Sequence, residues 1–152
     1  MICPKGAISQ MNNYSNALEQ AEQRRLSALE NRYRSAAKDY FAKRVAYYHT
    51  LTGGVYHTIM IRDQKSRWGS CSSRGTLSFN YRLMFAPPKV LDYVVVHELC
   101  HLTHMNHSKD FWNMVGRIMP DYKIYKQWLR EHGHELTLEN HLKRKGIPLS
   151  LD

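Results

Sequence analysis

Cysteine is scarce in this 152-residue chain: Cys3, Cys71 and Cys100 are an odd number with no framework spacing. That excludes a small domain stapled by disulfides and fits reduced thiols. No apolar run approaches the ~20 residues that span a bilayer, so a soluble chain with no membrane partner is expected. The first residues, Met1 to Gly6, lack the basic segment, apolar stretch and small-residue cleavage site of a secretory signal, and a cytoplasmic location follows as the expectation. Acidic residues are few, with 13 Asp and Glu against 22 Lys and Arg. Helix breakers are missing altogether from Asn12 to Thr50.

Within that unbroken stretch Leu26, Leu29, Tyr33, Ala36 and Tyr40 recur at steps of three and four, which predicts a long amphipathic helix closed by Gly53-Gly54. Arg24, Arg25, Arg32, Arg34, Lys38, Lys43 and Arg44 occupy much of its remaining surface. The positive excess lies early in the chain: 8 Lys/Arg against 4 Asp/Glu in residues 1–50, 6 against 2 in residues 51–96, and 8 against 7 in residues 97–152. Such a distribution would attract nucleic acid through the basic N-terminal two-thirds, although a solvated basic face is the plainer explanation. The tyrosines follow the apolar stripe of the helix and do not interleave with its charges, which favours a scaffold helix.

The length supports one domain, expected over residues 12–136, with an irregular N-terminal arm at 1–11 and a basic C-terminal tail at 137–152. After the long helix, residues 55–62 alternate and are rich in β-branched side chains, which reads as a strand. Residues 67–71 and 76–81 read as two short strands around the turn 72–75, a hairpin. Ala86-Pro87-Pro88 starts a second helix, expected to run to His104. Two more helices follow, one capped by Ser108 with Phe111, Trp112, Val115 and Ile118 inward, the next capped by Asp121 and ending near Gly133. The expected class is α+β, with a small, mostly antiparallel sheet.

One stretch carries chemistry: His97-Glu98-Leu99-Cys100-His101, followed by His104 and His107. Histidines four apart on a helix lie about 40° apart around its axis and one turn along it, so both rings can reach one ion while Glu98 stands at the rim. The preceding run, residues 90–96, is apolar enough for a buried helix. Burying imidazoles and a carboxylate without a partner would cost several kcal/mol, and a metal is the economical partner. Three imidazoles favour one zinc ion. His104 would stand ~10.5 Å along the axis from His97, which makes His107 the better third ligand. The chain would leave the helix at Met105-Asn106, with Asn106 in the left-handed conformation. Asp121, Glu131 and Glu135 stay open as carboxylate alternatives to His107. Cys100, inside the motif, falls on the core side of the helix.

The segment RWGSCSSRGTLSFNYRLMFAPPKVLDYVVVHELCHLTHMNHSKDFW, continued by PDYKIYKQWL, resembles the YgjP-like metallopeptidase domain, related to the SprT-like and WLM zinc proteases. The resemblance covers about residues 55–133. It implies a zincin-like fold, zinc bound by His97, His101 and His107, Glu98 as the catalytic carboxylate, and peptides or proteins as substrates. Some SprT-like relatives act on proteins crosslinked to DNA, so a zinc-stabilised nucleic-acid-binding module, or a protease recruited to DNA, is the alternative. Arg67 and Trp68, just before the hairpin, are candidates to contact substrate. Tyr122, His132 and His134 are candidates to stabilise an oxyanion, the two histidines equally explained as partners of a helix C-terminus. The sequence leaves the oligomeric state open.

Overall fold

The computed structural model describes residues 5–147 of the chain. Helix α1 runs Lys5–Thr52 and ends where Gly53 takes φ +64°. The expected irregular arm is therefore helical from Lys5 onward, and residues 1–4 lie outside the described residues. The buried face of α1 is Ala37, Phe41, Val45 and Tyr48, while Ala36 is exposed and Tyr33 and Tyr40 are half-buried. The fully buried stripe thus lies one residue around from Ala36 and Tyr40, while Tyr33 and Tyr40 pack against the core from its edge.

Strands β1 (Thr58–Arg62), β2 (Gly69–Cys71) and β3 (Thr76–Asn80) form one sheet in the order β1-β3-β2. The β2–β3 hairpin is antiparallel, as expected, but β1 pairs with β3 in parallel. The sheet is therefore mixed and not mostly antiparallel. The reason is the β1–β2 connection: it passes the end of β3, so that β3 returns between the two earlier strands. Asn80, 3% exposed, pins this connection. Its side-chain amide donates to the Gln64 and Arg67 carbonyls, and its oxygen accepts from Arg82 N at the start of a 3-10 turn, Tyr81–Phe85.

Helix α2, Pro88–Cys100, opens with Pro88 at its first turn and is buried along most of its length. Phe79 of β3 stacks on Phe41 of α1 with ring centroids 4.8 Å apart, closing the core between sheet and long helix. Asp92, 3% exposed, accepts two 2.8 Å bonds from the Arg44 guanidinium and one of 3.0 Å from the Tyr48 hydroxyl, which ties α2 to α1. Helices α3 (Lys109–Ile118) and α4 (Tyr122–His132) then cover α2. Ser108 caps α3 through Phe111 N as its position implied, whereas Asp121 sits at the cap of α4 without a side-chain bond.

The expected C-terminal tail is largely structured. A further helix, α5 (Leu138–Arg144), is capped by Thr137, whose side chain accepts from Asn140 N. Leu142 is fully buried, and His141 stacks on Phe85 at 4.7 Å while its Nε2 lies 3.1 Å from the Tyr33 hydroxyl. Residues 148–152 lie outside the described residues. No helix is long and apolar enough to cross a membrane among the described residues.

Candidate metal centre

Helix α2 stops sooner than the sequence implied. α2 ends at Cys100, His101 is its C-cap residue with φ −66°, and a turn carries the chain to His104. Among the described residues no non-glycine residue has a positive φ, so the exit uses no left-handed Asn106. The early stop moves His104 off the helix and frees the chain to bring His107 back over the last turn.

Three imidazoles meet there. His107 Nε2 lies 3.1 Å from His97 Nε2 and 3.1 Å from His101 Nε2. Among the described residues these three form the group of His, Cys, Asp and Glu side chains close enough to share one ion. A tetrahedral cation with nitrogen bonds of ~2.0–2.1 Å would separate its ligands by about 3.3 Å, so the spacing fits. The second ring nitrogens support the same polarity. His101 Nδ1 stands 2.9 Å from the His104 carbonyl, which can only accept, so Nδ1 carries the proton and the Nε2 lone pair faces the gap. The Tyr93 hydroxyl lies 3.5 Å from His97 Nδ1, on the same side of that ring. Phe111 stacks on His101 at 4.4 Å and Trp112 on His107 at 5.9 Å, holding both rings from behind.

The environment favours the neutral form of His97 and of His101, the form that metal ligation requires. Burial, reinforced by His101, His107 and Lys126, pushes His97 down to about 3. Burial also lowers His101 against the opposing bond to the His104 carbonyl. Glu98, 4% exposed, has its Oε1 3.7 Å from His97 Nε2, and its Oε2 is buried with no hydrogen-bond partner. Burial pushes this carboxyl up to about 8, and Arg67 opposes the shift. A buried carboxylate oxygen without a protein partner beside three converging imidazole nitrogens is a donor set suited to a cation. The two described thiols do not join it: burial pushes Cys71 up to about 11, with Glu98 adding to the shift, and Cys100 is fully buried on the core side as expected.

A family model for the YgjP-like metallopeptidase domain matches residues 5–132. The chain belongs to the YgjP-like metallopeptidase family. Its α+β, zincin-like architecture is shared with two solved structures. One is the metallopeptidase zymogen of Pyrococcus abyssi abylysin, with 21% identity, a TM-score of 0.54, and coverage of 62% of this chain and 93% of that one. The other is the metallopeptidase zymogen of Methanocaldococcus jannaschii jannalysin, with 21% identity, a TM-score of 0.50, and coverage of 62% and 94%. No curated protein sequence matches significantly. Membership makes the chain a metal-dependent peptidase, and the three-histidine cluster is where this YgjP-like domain could hold its metal.

The remaining candidates divide. Arg67 and Trp68 both reach the cleft around Glu98, Arg67 on the side of Cys71, His101 and His107, Trp68 on the side of Tyr93 and Leu129. Tyr122 does not line either compartment beside Glu98; it stacks on Trp112 at 5.3 Å and faces a groove with His104 and Asp110. His132 lies 3.3 Å from Glu135 and 3.9 Å from Glu131, and His134 is 3.9 Å from Glu135, so these rings face carboxylates at the end of α4. Asp121, Glu131 and Glu135 are not in the histidine cluster. Tyr93, Lys126 and Arg130 line the cleft and were not anticipated. Tyr93 could have been found, since it stands four residues before His97 on the same helical face. Lys126 and Arg130 depend on how α4 docks, for which the sequence has no local signal.

Proposed function

We propose that the chain is a zinc-dependent peptidase in which His97, His101 and His107 hold one zinc ion and Glu98 is the general base. The observation that carries this reading is the convergence of three imidazoles, with His107 Nε2 at 3.1 Å from the Nε2 of each of the other two, beside a buried carboxylate oxygen without a protein partner. Zinc held there would supply Lewis acidity, lowering the proton affinity of a nearby water and polarising the scissile carbonyl. Glu98 Oε1, the oxygen nearer His97 Nε2, takes the proton of the attacking water and delivers it to the leaving amine. His101, its tautomer fixed by the His104 carbonyl, keeps its lone pair inward throughout.

The substrate backbone is expected along β2. This strand is an edge of the sheet, and Gly69, Ser70 and Cys71 border the same cleft as His97 and Glu98. An extended peptide adding to that edge gains main-chain hydrogen bonds and lies with a peptide bond over the histidines.

Glu98→Gln separates the roles. The variant should bind zinc as the unmodified chain does, while kcat on a peptide substrate falls by roughly 10²–10⁴. Undiminished hydrolysis by Glu98→Gln would refute the assignment.

A further inference from the structure

Beyond Glu98 the cleft opens into a cavity of about 430 Å³ that the hydrolytic groups do not themselves require. Its walls are apolar: Trp68, Tyr93, Val94 and Leu129. Trp68 is fixed by close packing on Gly133, where a Cβ would stand 2.7 Å from its ring. At the rim are two cations, Lys126 and Arg130, four apart and therefore on one face of α4. The Lys126 ammonium lies 4.1 Å over the ring of Trp112, and that ring is 5.6 Å from His97, so the charge is held beside the catalytic centre. Among the described residues neither Lys126 nor Arg130 has a carboxylate partner; Glu131, next in sequence, bonds Gln127 at 2.7 Å and faces His132. Apart from Glu98 the lining has no acid.

With the peptide taken as antiparallel to the edge strand, the geometry relates this cavity to one side of the scissile bond. The cavity touches Trp68 and Gly69, where β2 begins, and reaches no further along the strand, whereas the other compartment runs from Arg67 and Gly69 past Ser70 and Cys71 to His107, spanning β2 to its end. A peptide added antiparallel to β2 places its C-terminal side at the beginning of β2. We propose that the cavity selects a carboxylate on the residue that follows the scissile bond, its stem against Trp68 and Leu129 and its charge at Lys126 and Arg130. This rests on the peptidase reading above. The carboxylate can belong to a Glu or Asp side chain or to the chain terminus, which carry the same anion on stems of different length.

The test uses the zinc-loaded full chain and peptides that differ only at the residue after the scissile bond, Glu, Gln or Lys. A second set ends at that residue with a free acid or an amide. At low salt kcat/KM for Glu should exceed that for Gln by roughly tenfold, the size of a charge-assisted contact at a partly wet rim. Lys126→Glu with Arg130→Glu should reverse the order in favour of Lys; both positions are exposed, so the fold is not at stake. A gain confined to the free-acid set assigns the anion to the chain terminus. Equal rates for Glu, Gln and both terminal forms overturn the proposal, as does a preference that survives the double charge reversal. If no peptide is cleaved, the peptidase reading fails by itself. The same peptides then report on the cavity as ligands through quenching of tryptophan fluorescence: tighter binding of the anionic members, lost in the double variant, supports selection, and equal binding refutes it.

Discussion

A methyl group added at Gly69 would stand 3.0 Å from Glu98 Cγ, 3.1 Å from Val94 Cγ1 and 3.1 Å from the Ser78 carbonyl. The Ser78 carbonyl is fixed by its pairing in the sheet, so the contact falls on the buried side chains of Val94 and Glu98. Of these Glu98 has the longer side chain, with more rotatable bonds to absorb it. Gly69→Ala should therefore cost about 1–3 kcal/mol of stability, as overpacking does, and should reduce peptide hydrolysis more than the stability loss explains. Hydrolysis rates beside thermal unfolding of the same sample check this, and wild-type turnover in Gly69→Ala would show that Glu98 needs no such fit. At this scale the sequence was most legible where chemistry fixes spacing. His97, Glu98, His101 and His107 were read from their intervals alone, and the structure brings the four together. Gly69 was silent, because nothing in a sequence tells a glycine next to a tryptophan that a carboxylate will pass over it.

Helix-to-helix contacts were less legible, since they depend on which faces meet. Asp92 lay within a run read simply as apolar, yet it is the buried anchor between α2 and α1 through Arg44 and Tyr48. Arg44→Ala leaves that carboxylate with the Tyr48 hydroxyl but no cation and should destabilise the fold by roughly 3 kcal/mol, the low end for a buried pair because Arg44 is partly exposed. Urea denaturation measures it, and a loss no larger than that of a surface pair such as Glu30–Arg34 would contradict the anchor role. α5 was missed because seven residues with three basic ones in the last turn look solvated; Leu142 and His141 dock it all the same. Burial, aided by Lys145 and Arg144, holds His141 below its ordinary pKa, so the folded state prefers the neutral ring between Phe85 and Tyr33. The unfolded chain then binds more protons, and stability falls as pH drops below the ordinary histidine value of ~6.5. Protection of the α5 amides, taken relative to the intrinsic exchange rate at each pH, should fall between pH 7 and 5.5 in the wild type and not in His141→Phe, which keeps the ring stack; pH-independent protection would exclude His141 as the cause.

For the molecule as a whole, the expected class holds, but its boundaries and sheet do not follow from pattern alone. Parallel pairing of β1 with β3 arises from the path of a loop pinned by one buried side chain, Asn80, and hydrophobic alternation does not encode the direction of a neighbour. The formal charge overstates the free positive surface: Arg44 is bound to Asp92, Arg82 lies 3.0 Å from Asp63, and Arg34 faces Glu30 and the Tyr81 ring. The active end of the molecule is built where α2, the edge strand and α4 meet, with α3 supplying the aromatic backing. The account depends on one cation binding at that junction. Zinc content per chain after dialysis, measured for the wild type and for His101→Ala and His107→Ala, tests it most directly. One zinc per wild-type chain and its loss from both variants is the expected result; a wild type that retains none, or variants that retain it in full, would contradict the account.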